Sequence, residues 1–394
     1  MAGERTLASL SNYRKRYAKA DRKGRSKLLD EFCATTQYHR KYAIALLGRL
    51  ADEARAPKPP RRRGATYGPG VVRALARIWE YAGYPWSARL KALLPQWVPL
   101  ARQHVRGLTP ELEHALLTIS ARQIDRVLAP KKRNRKKRLY GHTKPGALLK
   151  HQIAVRTDNW DVTQPGYLEI DLVVHCGPSA SGEFICSLNM TDILTGWTET
   201  RAIMGKGETG VVAALEEVRL QLPFPLLAID SDNGSEFINH HLKRWCDKHR
   251  VGFTRSRPYH KNDNAYIEQK NWTHVRRIFG WDRYDTPEQC ARMNMLYRDE
   301  LRPMQNLFQP CVKLIEKIRV GSKVRRRYDV ARTPLDRLMA YYNDKALPLS
   351  VQRCIQLRDG LDPFTLSTRI DAALDRLTRT IRRERSGKAE ILVS

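Results

Sequence analysis

A chain of 394 residues, 42% hydrophobic and 28% charged, is long enough for roughly two to four domains with cores of their own. Its 71 Lys and Arg against 41 Asp and Glu give a formal net charge of +30, and 34 of those bases against 10 acids fall within residues 1–150. A basic front on a nearly balanced remainder points to nucleic acid rather than a membrane surface, since no basic amphipathic helix, lipidation signal or membrane-length apolar run accompanies the charge.

Taken in chain order, residues 26–33 predict a short apolar helix, Ala34-Thr35-Thr36 a tight turn, and residues 37–48 a second helix capped by Thr and stopped by Gly48. Tyr38, Arg40 and Lys41 fall near the start of that second helix, where a helix-turn-helix reads bases, while Tyr42, Ala43, Leu46 and Leu47 form its inward stripe. This is a helix-turn-helix module over 1–55, followed by a basic, Pro-stiffened linker at 56–65. A second helical module is expected over 66–138, with a helix pair at 71–81 and 87–94 around Gly83-Tyr84-Pro85. Thr109-Pro110 then opens another helix, and residues 121–128 form the recognition helix of a second helix-turn-helix, ended by Pro130. Arg122, Gln123 and Arg126 project from the side opposite Ile124, Val127 and Leu128. The block Lys131, Lys132, Arg133, Arg135, Lys136, Lys137 and Arg138 follows at once and suits phosphate tracking or a minor groove. Residues 139–165 are an interdomain linker.

The stretch 166–310 predicts strands at 167–175, 183–191 and 196–203, a helix at 208–221, a strand at 225–230, a helix at 235–249, a strand at 251–255 and a helix at 264–279. Periodicity alone gives a mixed α/β sheet. Three acids stand out. Asp171 lies inside an apolar strand, where an unpaired acid is costly. Asp232 follows the apolar run 226–229 in Ser-Asp-Asn-Gly, and Glu268 lies in the first turn of a helix with 35 residues between it and Asp232. Asp230, two residues from Asp232 on the same strand face, competes with it, whereas Glu169, Asp192 and Glu236 read as surface or turn acids. Beyond 310, residues 313–320 read as a helix and 321–328 as a basic turn or strand; Leu366, Ile370, Leu374, Leu377 and Ile381 give a final helix a core-packing stripe.

Asp171, Asp232 before Asn-Gly, and Glu268 at that spacing together resemble the triad of DDE transposases and retroviral-integrase-type catalytic cores over about 165–310. The resemblance implies a ribonuclease-H-like fold in which the first and fourth strands are neighbours and the Glu268 helix packs across them. The expected fold class is therefore multidomain: α-helical helix-turn-helix modules, an α/β ribonuclease-H-like catalytic core, and a mostly helical, basic tail over 311–394. It prefers Asp232 to Asp230 as the ligand, because the family's acid directly precedes Asn-Gly. Three carboxylates are hard oxygen donors for Mg²⁺ or Mn²⁺, as two ions.

The same resemblance puts Arg257, Lys261, Asn262, Asn264 and Lys270 near DNA ends, with Asn271, Trp272, Val275 and Arg276 on the Glu268 side of the helix. The family often has a base seven residues after its Glu; here Val275 holds that position and Arg276 follows. The implied activity is that of an insertion-sequence transposase: it binds terminal repeats, hydrolyses a phosphodiester to free a 3′-hydroxyl, and joins that end to target DNA. Double-stranded DNA is the partner, with a homo-oligomer assembled on it. A ribonuclease-H-like nuclease and a domesticated DNA-binding regulator are the rival readings.

Other chemistries are not expected. Gly205-Lys206-Gly207 lacks the frame of a P-loop, so no ATP use is expected, and His240, His241, Cys246 and His249 lack zinc-finger spacing. The seven cysteines include no C-x-x-C pair, and no apolar core follows the charges of the N-terminus, which together suit a reducing bacterial cytoplasm.

Overall fold

In the computed structural model, which describes residues 2–48, 67–133, 162–231, 240–255, 265–320 and 323–391, contacts divide the chain into two units, Met1–Thr66 and Tyr67–Ser394. The first holds three helices, α1 (Ala2–Lys19), α2 (Arg22–Thr36) and α3 (Arg40–Leu47). Asp21 caps α2 by accepting the Gly24 N–H at 2.8 Å, and Gln37, at a left-handed φ of 58°, ends it. The cap of α3 is His39, whose ring accepts from the Lys41 N–H, and not Thr as the sequence pattern suggested. Ala43 and Leu47 pack on Leu29 and Phe32, while Tyr42, expected inside, is 54% exposed. Leu10, Tyr13 and Tyr17 of α1, a helix that the sequence pattern did not predict, close this small core.

The second unit begins with α4 (Pro69–Tyr81), α5 (Ser87–Ala101), α6 (Pro110–Thr118) and α7 (Ala121–Arg133). Two of these outrun the proline rule. Helix α5 continues past Leu94 through Pro95 and Pro99, because Leu90, Leu93, Leu94, Trp97, Val98 and Ala101 bury one continuous stripe. Helix α7 continues through Pro130, and Lys132 beyond it pairs with Asp125 before it at 2.7 Å. These helices share a core with the rest of the unit and are not the free-standing module that their sequence suggests. Trp97 packs on Phe364 at 5.1 Å and donates its indole N–H to the Phe308 carbonyl at 3.4 Å.

A mixed sheet comes next, made of β1 (Tyr167–Val174), β2 (Ile185–Asp192), β3 (Thr198–Met204), β4 (Ala228–Ser231) and β5 (Gly252–Arg255) in the order β3-β2-β1-β4-β5. β1, β2 and β3 form an antiparallel meander, while β4 runs parallel to β1 and β5 parallel to β4. Helix α8 (Glu208–Gln221) makes the crossover to β4, and α9 (His240–His249) precedes β5. The first and fourth strands are neighbours, as expected. Asp192 is buried in the β2–β3 turn and not at the surface, accepting from the Gly166 N–H at 2.7 Å and from Thr195. The outer edge of β3 is sealed by side chains: Asn306 bonds both backbone groups of Thr198, and Asn294 both of Ala202.

After β5 come α10 (Ala265–Lys270), a π-helical turn at Asn271–Arg276, and α11 (Arg277–Phe279). Next are α12 (Pro287–Leu296) and two further π-helical turns at Tyr297–Leu301 and Met304–Phe308. Residues 313–320, expected helical, instead supply β6 (Leu314–Val320), which pairs with β7 (Lys323–Tyr328) as an antiparallel ribbon. Lys, Ile, Arg and Val alternating up to Gly-Ser is a hairpin pattern, and β-branched residues favour it. The helices α13 (Pro334–Tyr341), α14 (Leu349–Gly360) and α15 (Pro363–Ile391) complete a tail that is otherwise helical. On α15, Leu366 and Leu377 are buried, and Ile370 and Leu374 pack beside them as core residues.

Candidate active site

Parallel pairing of β1 with β4 sets Glu169 beside Asp230 and Ile170 beside Ser231. Asp171 is the next residue on β1. It stands half-buried, on the same face as Glu169, because strand side chains alternate. Its Oδ1 accepts the Leu172 N–H at 2.8 Å, and its Oδ2 accepts the side-chain amide of Asn271. Asn271 in turn accepts from Asn189 on β2 at 2.8 Å, and Asn189 accepts the Thr200 hydroxyl on β3 at 3.1 Å. This series of polar contacts runs from β3 to Asp171 and fixes the orientation of the Asn271 amide.

Two further acids lie in the same region. Glu169, read from sequence as a surface acid, is 1% exposed and accepts the Ile267 N–H at 3.0 Å. It thus holds the start of the helix one residue before Glu268, where a carboxylate also faces the positive end of the backbone dipoles. Asp230 is fully buried and accepts the Thr254 hydroxyl of β5 at 2.6 Å. Their burial is set by α10 and β5, which the apolar strand pattern did not show.

Asp232 follows Ser231 directly in the chain and lies outside the described residues, as do Glu236, Arg257, Lys261, Asn262 and Asn264. Glu268 is on α10, but its side chain is outside the described residues. Among the described residues no group of three or more His, Cys, Asp or Glu is arranged to hold a metal ion.

The π-helical turn corrects the α-periodic reading of the Glu268 helix. Five-residue hydrogen-bond spacing rotates every later side chain about the helix axis. Asn271 does face Asp171, but Val275 is fully buried and Trp272 is 40% exposed. Lys270, expected to face DNA, is 7% exposed, with Nζ 3.3 Å from His274 Nε2. Burial and the charges of Arg89 and Arg337 lower its pKa from 10.5 to about 8. Arg276 is half-buried, its guanidinium 4.1 Å from the centre of the Trp281 ring.

Of the front residues, Arg122 and Arg126 are exposed on α7 and Gln123 is half-buried; Lys131 and Arg133 are exposed at its end, and Lys132 is half-buried against Asp125. Residues 135–138 lie outside the described residues. Tyr38 and Lys41 are exposed in the front unit, and Arg40 is held by Asp30 and by the Ser26 hydroxyl at 2.9 Å. No helix of the described residues is long and apolar enough to cross a membrane.

Residues 162–261 match the integrase core domain family. Over 327 residues the chain is 40% identical to the uncharacterized protein y4rM of Sinorhizobium fredii (strain NBRC 101917 / NGR234), covering 82% of this chain and 91% of that one. Similar solved structures include the catalytic core domain of BIV integrase, with TM-score 0.24 and 16% identity over 28% of this chain and 66% of that one. The HTLV-2 integrase catalytic core domain in complex with magnesium (dimeric form) aligns with TM-score 0.28 and 13% identity, over 37% of this chain and 90% of that one.

Proposed function

Because this chain belongs to the DDE transposase and retroviral-integrase-type family, we propose that it is a DNA transposase that frees 3′-hydroxyl ends and joins them to target DNA. One observation carries the reading. Asp171 is held by Asn271, three residues beyond Glu268 on the same helix, and stands next to the strand whose chain continues into Asp232. Asp171, Asp232 and Glu268 are the proposed metal ligands. An all-carboxylate donor set on a strand end and a helix fits Mg²⁺ or Mn²⁺, in a pair of ions. When bound, such ions supply Lewis-acid activation of the attacking oxygen and offset charge on the leaving oxygen.

The protein's own share is positioning. Asn271 orients the Asp171 carboxylate, and Glu169 fixes the start of the Glu268 helix. Asp230, bonded to Thr254, is a supporting acid. For the DNA, α2 with α3 and α6 with α7 are proposed helix-turn-helix pairs, reading repeats through Tyr38, Lys41, Arg122, Gln123 and Arg126. The basic arm of 131–138 would track phosphates. Working on two ends calls for a homo-oligomer on DNA, in a bacterial cytoplasm.

The test is end cleavage and strand transfer on a labelled duplex carrying the element's terminal repeat, with Mg²⁺ or Mn²⁺ and then chelator. Asp171→Asn, Asp232→Asn and Glu268→Gln should each abolish both steps while repeat binding persists. Cleavage without joining would make the protein a nuclease, and repeat binding without any metal-dependent chemistry would make it a regulator. Strand transfer by Asp232→Asn alongside an inactive, folded Asp230→Asn would mean that Asp230 is the ligand.

A further inference from the structure

A cavity of about 560 Å³ lies within the second unit, between α4 and the turn that follows it, α11 and α15. That volume is in the range of a small-molecule site and far above an ordinary packing void. Three polar side chains on its wall have hydrogen-bonding capacity to spare. Gln305 and Ser367 are 5% and 8% exposed, and among the described residues neither side chain makes a hydrogen bond. Arg89, half-buried, donates its Nε–H to the Pro310 carbonyl, while its two terminal nitrogens have no partner among the described residues. Polar groups withdrawn from bulk water are normally bonded, and leaving them unpaired is costly. Three such groups lining one cavity call for a polar occupant.

The local field sets the charge of that occupant. Thr273 lines the cavity, and next to it in the chain the buried His274 has its pKa lowered by burial and then by the bases Lys270, Arg89 and Arg277. Cations therefore crowd this side. The two acids on the wall offset them little, since Glu80 pairs with Arg77 at 3.1 Å, and burial, then the charge of Asp375, raises the pKa of Asp371. Guanidinium groups in a fixed fork suit the oxygens of a phosphate. The same cavity offers a flat ring. Tyr84 holds a left-handed φ of 60°, a conformation uncommon outside glycine. It is kept there by its N–H bond to the Trp79 carbonyl at 2.8 Å and by edge-on contact with the Trp79 ring at 4.9 Å, while Arg277 donates to the Gly83 carbonyl beside it. Strain of this kind persists where the surroundings fix it, as in ligand clamps. Leu93, Ile370 and Leu374 add apolar wall.

We propose that this cavity binds one nucleotide, with its phosphate on Arg89 and Arg277, its base against Tyr84 and the polar edge of that base on Gln305. A bare anion would leave the Gln305 amide and the apolar wall unused, whereas a base brings both a π-face and an edge of donors and acceptors. The nucleotide is either free or an unpaired residue at the end of a DNA strand, and both present the same phosphate and base. The site uses none of the proposed metal ligands and stands whether or not the protein transfers strands.

The experiment uses the full chain without added metal and follows binding by calorimetry. The probes are dAMP, inorganic phosphate, a blunt duplex, and the same duplex with an unpaired nucleotide at its 5′ end. Binding of dAMP should have a Kd below about 1 mM and be tighter than that of phosphate. Arg89→Gln should weaken it at least about tenfold, as expected for a lost charged hydrogen bond. Gln305→Leu should weaken it as well without lowering the thermal stability of the unliganded protein, because this amide has no bond to lose. Since Arg89 also holds Pro310, Thr368→Trp, which fills the cavity from α15, is read beside it and should block dAMP. If the source is a DNA end, the unpaired duplex should bind better than the blunt one, and Thr368→Trp should erase only that difference. If the source is a free nucleotide, the two duplexes should bind alike while dAMP saturates. Absence of dAMP binding together with equal duplex affinities overturns the site. So does dAMP binding that is unchanged in both Arg89→Gln and Thr368→Trp, and so does phosphate binding as tight as that of dAMP.

Discussion

Asn271 donates its side-chain amide to Oδ2 of Asp171 from the π-helical turn directly after the Glu268 helix. A carboxylate oriented by a neutral amide keeps its charge for a cation and loses freedom to rotate. Asn271→Ala should therefore lower the rate of end cleavage about ten- to a hundredfold, the usual cost of losing a group behind a metal ligand, with repeat affinity unchanged. Asn271→Asp sets a second negative charge against Asp171 and should cost more than Ala does. Single-turnover cleavage at several metal concentrations reads both, and wild-type rates in Asn271→Ala would remove the residue from the site.

The β3 edge gives a stability prediction free of the chemistry. Asn306 satisfies the Thr198 N–H at 2.9 Å and the Thr198 carbonyl at 2.8 Å, in a buried setting. Asn306→Leu keeps the volume and orphans both groups, so urea unfolding should show a loss of about 2–6 kcal/mol, taken as one to three per unsatisfied group. Asn294→Leu, facing Ala202 in the same way but less buried, should cost less. Equal stability of Asn306→Leu and wild type would mean that water replaces the side chain.

Acid should destabilise the second unit through His175. This ring is fully buried, 2.8 Å from the Ser187 hydroxyl, which is itself 2.7 Å from the Tyr297 hydroxyl. Burial, then the charge of Arg276, lowers its pKa from 6.5 to about 3. The unfolded chain takes up that proton below about 6.5 and the folded one resists until about 3. The stabilisation is present above pH 6.5 and is lost as pH falls through that window, at up to about 1.4 kcal/mol per pH unit. His175→Gln should flatten this part of the pH profile in urea titrations. Lys270, held at about 8, acts at the other end: stability should rise between pH 8 and 10.5, and Lys270→Met should remove that rise.

The shared core of the second unit predicts the behaviour of fragments. Trp97 is fully buried and packs against Phe364, nearly 270 residues along the chain. A fragment ending at residue 150 would leave that stripe of α5 in water, so it should lack cooperative unfolding even though it carries most of the charge. In the full chain, Trp97→Ala should cost about 3–5 kcal/mol. A cooperative melt from the 1–150 fragment would show that the α4–α7 helices stand alone after all.

The strand and helix order of residues 167–279 was legible in the sequence, because period-2 apolar runs and turn residues act over a few positions. So were Asp171 in its strand, Asp232 before Asn-Gly, and the spacing to Glu268. What the chain order could not hold was anything set by a distant partner. The parallel seating of β4 beside β1 depends on a crossover through α8, and the burial of Glu169 and Asp230 depends on α10 and β5 arriving over them. Helices α5 and α7 run through prolines because apolar burial, and for α7 also the Asp125–Lys132 pair, offset a local penalty. Lys270, at the end of α10, is buried beside His274 and does not face DNA as expected. Local propensity and spacing are properties of neighbours in sequence. Burial, register and the facing of a helix are decided by the surface that it meets, and that surface exists only once the rest of the chain has folded.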